Sequence, residues 1–156
     1  MSFLNDVAQI FVKYYPQLLS GVGNTMLIAL VGTVAGLLIG LLTGMVRTAP
    51  LSKRAVPRVL HRILNGIIAV YVEIFRGTPM MVQSLIFYYA IFNLFKRTGM
   101  SVTEINRVWS LFISGLVTVS LNSTAYLAEV LRGGILAVDA GQMEAARSLG
   151  MTHWQA

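Results

Sequence analysis

Residues Met26 to Met45 read MLIALVGTVAGLLIGLLTGM, twenty residues without a charge. As an α-helix this run is about 30 Å long, the thickness of a bilayer's hydrocarbon core. Gly32, Gly36, Gly40 and Gly44 recur at every fourth position within it. That spacing lines them up on one helix face, where the backbone of a second helix can come close. Glycine is also frequent in membrane helices without any such role. Four in register favour helix packing.

The rest of the chain agrees with a lipid solvent. Of 156 residues, 56% are hydrophobic and 12% charged, too few polar groups to cover a soluble domain. No cysteine is present, which excludes disulfides and thiolate metal sites. Twelve Lys and Arg against six Asp and Glu leave a net charge of +6. The cations flank apolar runs and form no groove with aromatic stacking partners, so they report membrane orientation and not a nucleic-acid partner. The expected class is an all-α polytopic membrane protein.

Residues 1–20 carry Phe3, Val7, Ile10, Phe11, Tyr14 and Leu18 at helical spacing, interrupted by Asp6 and Lys13 and punctuated by Pro16. They predict an interfacial amphipathic helix. A transmembrane region follows over residues 21–132, with its first span at 24–47. The next segment holds Arg47, Lys53, Arg54, Arg58 and Arg62 without an acid, which predicts a cytoplasmic loop and an external N-terminus. Beyond it, ILNGIIAVYVEIFRGTPMMVQSLIFYYAIFNLFKR is too long for one straight span and is broken at Gly77-Thr78-Pro79. Residues 63–75 and 80–95 are two short spans, or the first piece lies near the inner interface and one span occupies 78–96. The second arrangement returns the end of the chain to the basic side.

A polar loop over residues 96–107 leads to a third span at 109–131, which opens on Trp109, an expected interfacial anchor. Its second half carries Ser120, Asn122, Ser123, Thr124, Tyr126 and Glu129. Polar groups at this depth face protein or a water-filled path. For Asn122, Ser123 and Tyr126, hydrogen-bonded packing and a path are equally open readings. Glu129 and Arg132 stand three apart and can pair or anchor the inner end. Gly133-Gly134 ends or bends this helix, and residues 133–156 form a cytoplasmic loop. Within it Asp139 suits an N-cap, residues 142–149 are strong helix formers and Gly150 is a stop. With Ala145 and Ala146 giving a flat side, this short helix reads as an interaction element.

Four stretches carry a resemblance: GNTMLIAL, EIFRGTPMMVQ, AYLAEVLRGGI and GQMEAARSLGM. Together they resemble the transmembrane permease subunits of ATP-binding-cassette (ABC) importers for polar amino acids, of the histidine, glutamine, arginine and glutamate type. The likeness covers nearly the whole chain. It implies a type I, MetI-like transmembrane domain in the bacterial inner membrane. It also implies a second permease subunit (homo- or heterodimer), a periplasmic or lipid-anchored amino-acid-binding protein, and ABC ATPase subunits. Glu144, Ala145, Ala146 and Gly150 match the family's EAA coupling motif, which docks into the ATPase. Arg76, Gly77, Thr78 and Pro79 match its Arg-Gly-Thr-Pro stretch, read here as a structural turn with Arg76 bonding carbonyls or Glu73. Gln83 joins Asn122, Ser123, Tyr126 and Glu129 as candidates for the translocation path. The family pattern continues past Gly150 to an Ile-x-Leu-Pro that would lie beyond Ala156, and two further spans usually follow. On the resemblance the sequence is a truncated permease, about its first two thirds, with an incomplete coupling loop.

No GxxxxGK[ST] phosphate loop is present, so ATP hydrolysis is expected on a partner subunit and no cofactor is implied. His61 and His153 stand far apart beside basic or aromatic residues, so a metal site is not expected. The rival readings are a small secondary transporter or channel component that uses Glu73 or Glu129 for ion coupling, and a non-functional remnant.

Overall fold

The computed structural model describes residues 2–49, 55–152 and 154–156. Lys53 and Arg54 of the basic segment, and His153, lie outside the described residues. Six helices follow in order: α1 (Ser2–Thr48), α2 (Ala55–Gly77), α3 (Met80–Arg97), α4 (Val102–Val108), α5 (Leu111–Leu136) and α6 (Ala140–Ser148). The described residues contain no strand. By length and composition, two stretches can cross a membrane, Asn5–Thr48 and Val102–Leu136. The pair Val56–Gly77 and Met80–Arg97, bent by 111°, makes a third if it counts as one span.

α1 is one helix of 47 residues, about 70 Å long, and it runs straight through Pro16. The sequence reading set residues 1–20 apart as a separate interfacial helix punctuated by Pro16. Proline removes one backbone donor and crowds the preceding turn. The side chains of Val12 and Tyr15 around it are exposed, so no packed neighbour forces the turn to break. Likewise α5 continues through Gly133 and Gly134 to Leu136, beyond the expected end of the span at residue 131. Both glycines are helical, with open space where a Cβ would stand.

The glycine strip is the seam between α1 and α5. Gly32 lies against Val119, Gly36 against Ser123, Gly40 against Leu127 and Gly44 against Leu131. Each step of four along α1 is matched by a step of four along α5, so the two helices run parallel. A Cβ added at Gly36 would stand 2.5 Å from Ser123 Cβ and 3.0 Å from the Thr124 backbone nitrogen. At Gly32 and Gly40 the nearest atoms would be at 2.7 and 2.9 Å. No side chain fits at these distances, and the seam exists because glycine has none.

α2 packs across the inner half of α5. Ile68 and Val72 are buried with Ala125 and Ala128, and Val46, Tyr71 and Phe75 close around them. The Tyr71 hydroxyl donates to the Leu121 carbonyl. Further back, His61 Nε2 lies 2.9 Å from the Val46 carbonyl and ties α2 to the end of α1. α4 occupies part of the segment expected to be a polar loop. Its start is a capping box: the Ser101 hydroxyl accepts from Glu104 N, and the Glu104 carboxylate accepts from Ser101 N at 2.9 Å. Ile105 is fully buried, and Trp109 is 8% exposed, packed inside the protein and not displayed as an interfacial anchor.

The seam generates a direct test. Gly36→Ala or Gly40→Ala should destabilise the helix pair by about 1–3 kcal/mol through overpacking. Thermal unfolding in detergent should show the loss, while Leu38→Ala on the exposed side of α1 should change little. Equal melting of all three variants would mean the helices do not meet along this strip.

Candidate functional site

The break between α2 and α3 is built from backbone groups that need partners. Helix ends leave unpaired carbonyls. Pro79 is the N-cap of α3 in an extended conformation (φ −62°, ψ 131°) with no side-chain cap. Its carbonyl accepts from Val82 N at 3.0 Å and Gln83 N at 3.2 Å. Gln83, 6% exposed, serves the other side of the break. Its Nε2 lies 2.9 Å from the Phe75 carbonyl, 3.0 Å from the Thr78 carbonyl and 2.7 Å from Thr78 Oγ1. The Thr78 hydroxyl donates to the Ile74 carbonyl at 2.8 Å, which leaves its lone pairs free to accept from Gln83. Asn122 of α5 completes the knot, with Nδ2 3.2 Å from Gln83 Oε1 and 3.4 Å from the Phe75 carbonyl. One buried amide thus holds the bend, and a second fastens it to α5.

Arg76 does not play the part expected of it. Its guanidinium stands over the Tyr126 ring, 5.5 Å from the centroid, and no ion pair with Glu73 exists among the described residues. A cation–π contact replaces the carbonyl bonds because Tyr126 lies one turn beyond Asn122 on the same face of α5.

The five path candidates separate into three groups. Gln83, Asn122 and Tyr126 come together beside the break. Ser123 lies on the glycine seam opposite Gly36. Glu129 belongs to an ion triad at the inner end of α5. Its Oε2 is 2.6 Å from Arg47 Nη1, and its Oε1 is 2.6 Å from Arg132 Nη2 and 3.0 Å from Arg132 Nε. Arg47, counted in the sequence as an orientation cation, is therefore also a tie between the last turn of α1 and α5. Other polar residues of α5 satisfy themselves. Thr118, Ser120 and Thr124 each donate to the carbonyl four residues back, at 2.7–2.8 Å.

α6 is set off from the helices by a short turn. Asp139 is its N-cap, with Oδ1 accepting from Gly141 N at 2.6 Å. At the other end Gly150 has φ +85°. Gly150 N donates to the Arg147 carbonyl at 3.0 Å and Met151 N to the Ala146 carbonyl at 3.2 Å. Those two bonds are a Schellman closure, which places Gly150 where a side chain would be strained. Glu144 and Ala145 are exposed and Ala146 is half-buried. Leu149 is 82% exposed and Trp154 96%, an apolar extension of this surface that the sequence reading did not single out. Its signal was present, since large apolar side chains just after a helix stop have no core to enter.

The family model for the binding-protein-dependent transport system inner membrane component matches residues 51–156. The chain belongs to this family. Among its relatives is the nopaline transport system permease protein NocM of Agrobacterium fabrum, 32% identical over 148 residues, with 92% of this chain and 55% of that protein covered. The putative glutamine transport system permease protein GlnP of Rickettsia prowazekii is 37% identical over 140 residues, with 90% and 56% covered. The GlnP protein of Escherichia coli is 33% identical over 140 residues, with 90% and 55% covered. A crystal structure of an amino acid ABC transporter with histidines superposes at a TM-score of 0.66 with 34% identity, covering 93% of this chain and 58% of that one. The chain spans about half the length of the curated relatives it matches. The expected all-α, MetI-like permease fold is borne out by this membership and by the structural match. In this chain α5 contacts both the break and the seam, and it leads by a short turn to α6.

Gln83→Leu should leave the Phe75 and Thr78 carbonyls and the Asn122 amide short of partners. A loss of about 1–3 kcal/mol in stability is expected. Limited proteolysis should then cut faster near residues 77–80. If the cleavage rate and melting temperature match the parent, Gln83 does not hold the bend.

Proposed function

We propose that the chain is part of the permease subunit of an ABC importer for a polar amino acid, with ATP hydrolysed on a separate subunit. The relatives' names supply the substrate class, since they are permeases of nopaline, glutamine and arginine transport systems. The observation that carries the mechanism is the connection from α5 to α6. α5 touches the bend through Asn122 and the first span through its glycine seam, and it leads by one short turn to an exposed helix with the EAA-like residues. A push on α6 is thereby delivered to both neighbours of α5.

The parallel seam supports the topology. Two parallel spanning helices need an odd number of crossings between them. α2 and α3 then count as one bent crossing, and residues 24–47, 78–96 and 109–131 are the three spans. The basic segment and α6 share the cytoplasmic side, and the N-terminus is external. In this reading the protein sits in the bacterial inner membrane. It works with ABC ATPase subunits, an extracytoplasmic amino-acid-binding protein and a second permease subunit. Gln83, Asn122 and Tyr126 line or border the path, while Glu129, already engaged with two arginines, is a structural tie and not a free ion-coupling carboxylate.

Single cysteines test the topology, since the chain has none of its own. Ala49→Cys and Ser148→Cys should be labelled by a membrane-impermeant reagent from one side and Asn106→Cys from the other. Labelling of all three from one side would remove the single bent crossing.

Coupling is tested in a full-length permease assembled with its ATPase. Ala146→Trp should block docking sterically. Gly150→Val should strain the helix stop by on the order of 1 kcal/mol. Both should abolish substrate-stimulated ATPase activity and leave membrane insertion intact, with Glu144→Ala losing less. Full stimulation in both variants would show that α6 is not the coupling surface.

A further inference from the structure

α2 is the most amphipathic helix of the chain, and its apolar stripe faces outward. Val56, Val59, Leu60, Ile63 and Ile67 are between 55% and 81% exposed. The opposite face is the one that packs, through His61 on Val46 and Ile68 on the α5 alanines. Arg62 is exposed on the flank of the stripe, one turn from both Val59 and Gly66. From Arg47 to Val72 the sequence contains five Lys and Arg and no acid. Glu129, at the far end of the Arg47 pair, is held by Arg47 and Arg132. An apolar stripe beside an exposed guanidinium, in a segment of one charge sign, has the chemistry of a phospholipid with a negative headgroup. The acyl chain covers the stripe and the guanidinium meets the phosphate bidentately.

We propose that the first half of α2 is a binding surface for anionic phospholipid of the inner leaflet, with Arg62 as the headgroup contact. This rests on the membrane placement given above. It goes beyond an orientation signal, because it assigns a ligand class and a contact residue to a particular helix face. It also explains why a strongly amphipathic helix is joined to a span through a bend of 111°. A helix with one apolar and one polar face is stable where lipid and protein meet at an angle, not as a straight lipid-surrounded span.

The test uses the whole chain in vesicles of mixed phosphatidylcholine and phosphatidylglycerol. A fluorophore is attached at Ile63→Cys, and the quencher is a spin-labelled lipid, either phosphatidylglycerol or phosphatidylcholine, in the same host mixture. Quenching by the anionic lipid should be roughly two- to fivefold stronger, the range that one cation near the surface allows. The preference should shrink at high salt, persist in Arg62→Lys and vanish in Arg62→Gln. A fluorophore at Leu30→Cys, exposed on α1 away from the cations, should show no preference in any variant and reports that each variant is inserted. Equal quenching by both lipids at Ile63, or a preference that survives Arg62→Gln, overturns the proposal. Absence of quenching at Ile63 alone also overturns it, since a second copy or another protein segment then covers the stripe. Absence at both positions overturns the membrane placement itself.

Discussion

The contact of α1 with α5 along four glycines is the constraint on which the other elements depend. Lipid tails compete on equal terms with apolar side chains, so helices in a bilayer gain little from burial alone. They gain from close backbone approach, and Gly32 through Gly44 make that approach possible over four successive turns. The seam sets the direction of α5 relative to α1. It also leaves one flank of α5 open for α2 and α3, whose contacts run through Tyr71, Phe75 and Gln83.

Polar groups then divide the work according to the partner that each one faces. In the middle of α5, hydroxyls return to their own helix and cost nothing in alignment. At the bend, where α2 and α3 part, two amides take over the unpaired backbone groups. Toward the C-terminal end of α5, full charges appear, and Glu129 pairs with two arginines, one on α1 and one on its own helix. Asn122 lies between Ser120 and Thr124 on α5, so the choice of hydroxyl, amide or ion pair follows the partner that each face of the helix meets. α5 is held to α1 by the seam and the Arg47–Glu129 pair, and to the bend by the Asn122 hydrogen bonds, the Arg76–Tyr126 contact and the packing of Phe75.

Parts of this were legible in advance. The glycine strip, the break at Gly77-Thr78-Pro79 and the stop at Gly150 were readable because each rests on a backbone property of one residue type: no side chain, no N–H, or tolerance of positive φ. The exposed helix from Glu144 to the stop at Gly150 was readable from its residue types and family likeness. The partners of the polar residues were not. Nothing local distinguishes Ser123, which sits on the seam, from Asn122 beside it, which faces Gln83. Adjacent positions on a helix point about 100° apart, and only the neighbouring helices say what stands in each direction. Arg76 was assigned to the carbonyls of the turn or to Glu73, its neighbours in sequence, whereas the structure sets it over Tyr126 of α5.

By itself, then, the sequence determined the apolar class, the break at Gly77-Thr78-Pro79, the stop at Gly150 and the family, since these follow from composition, backbone chemistry and motif. It also held a capping box at Ser101 and Glu104 that defines α4. Tertiary structure alone decided that Pro16 lies inside a continuous helix, that Trp109 is packed inside and that Arg47 reaches Glu129. The physical reason is the same in each case. A proline bends a helix, a tryptophan seeks an interface and an arginine seeks an anion only as far as neighbouring helices compel or permit, and those neighbours come from distant parts of the chain.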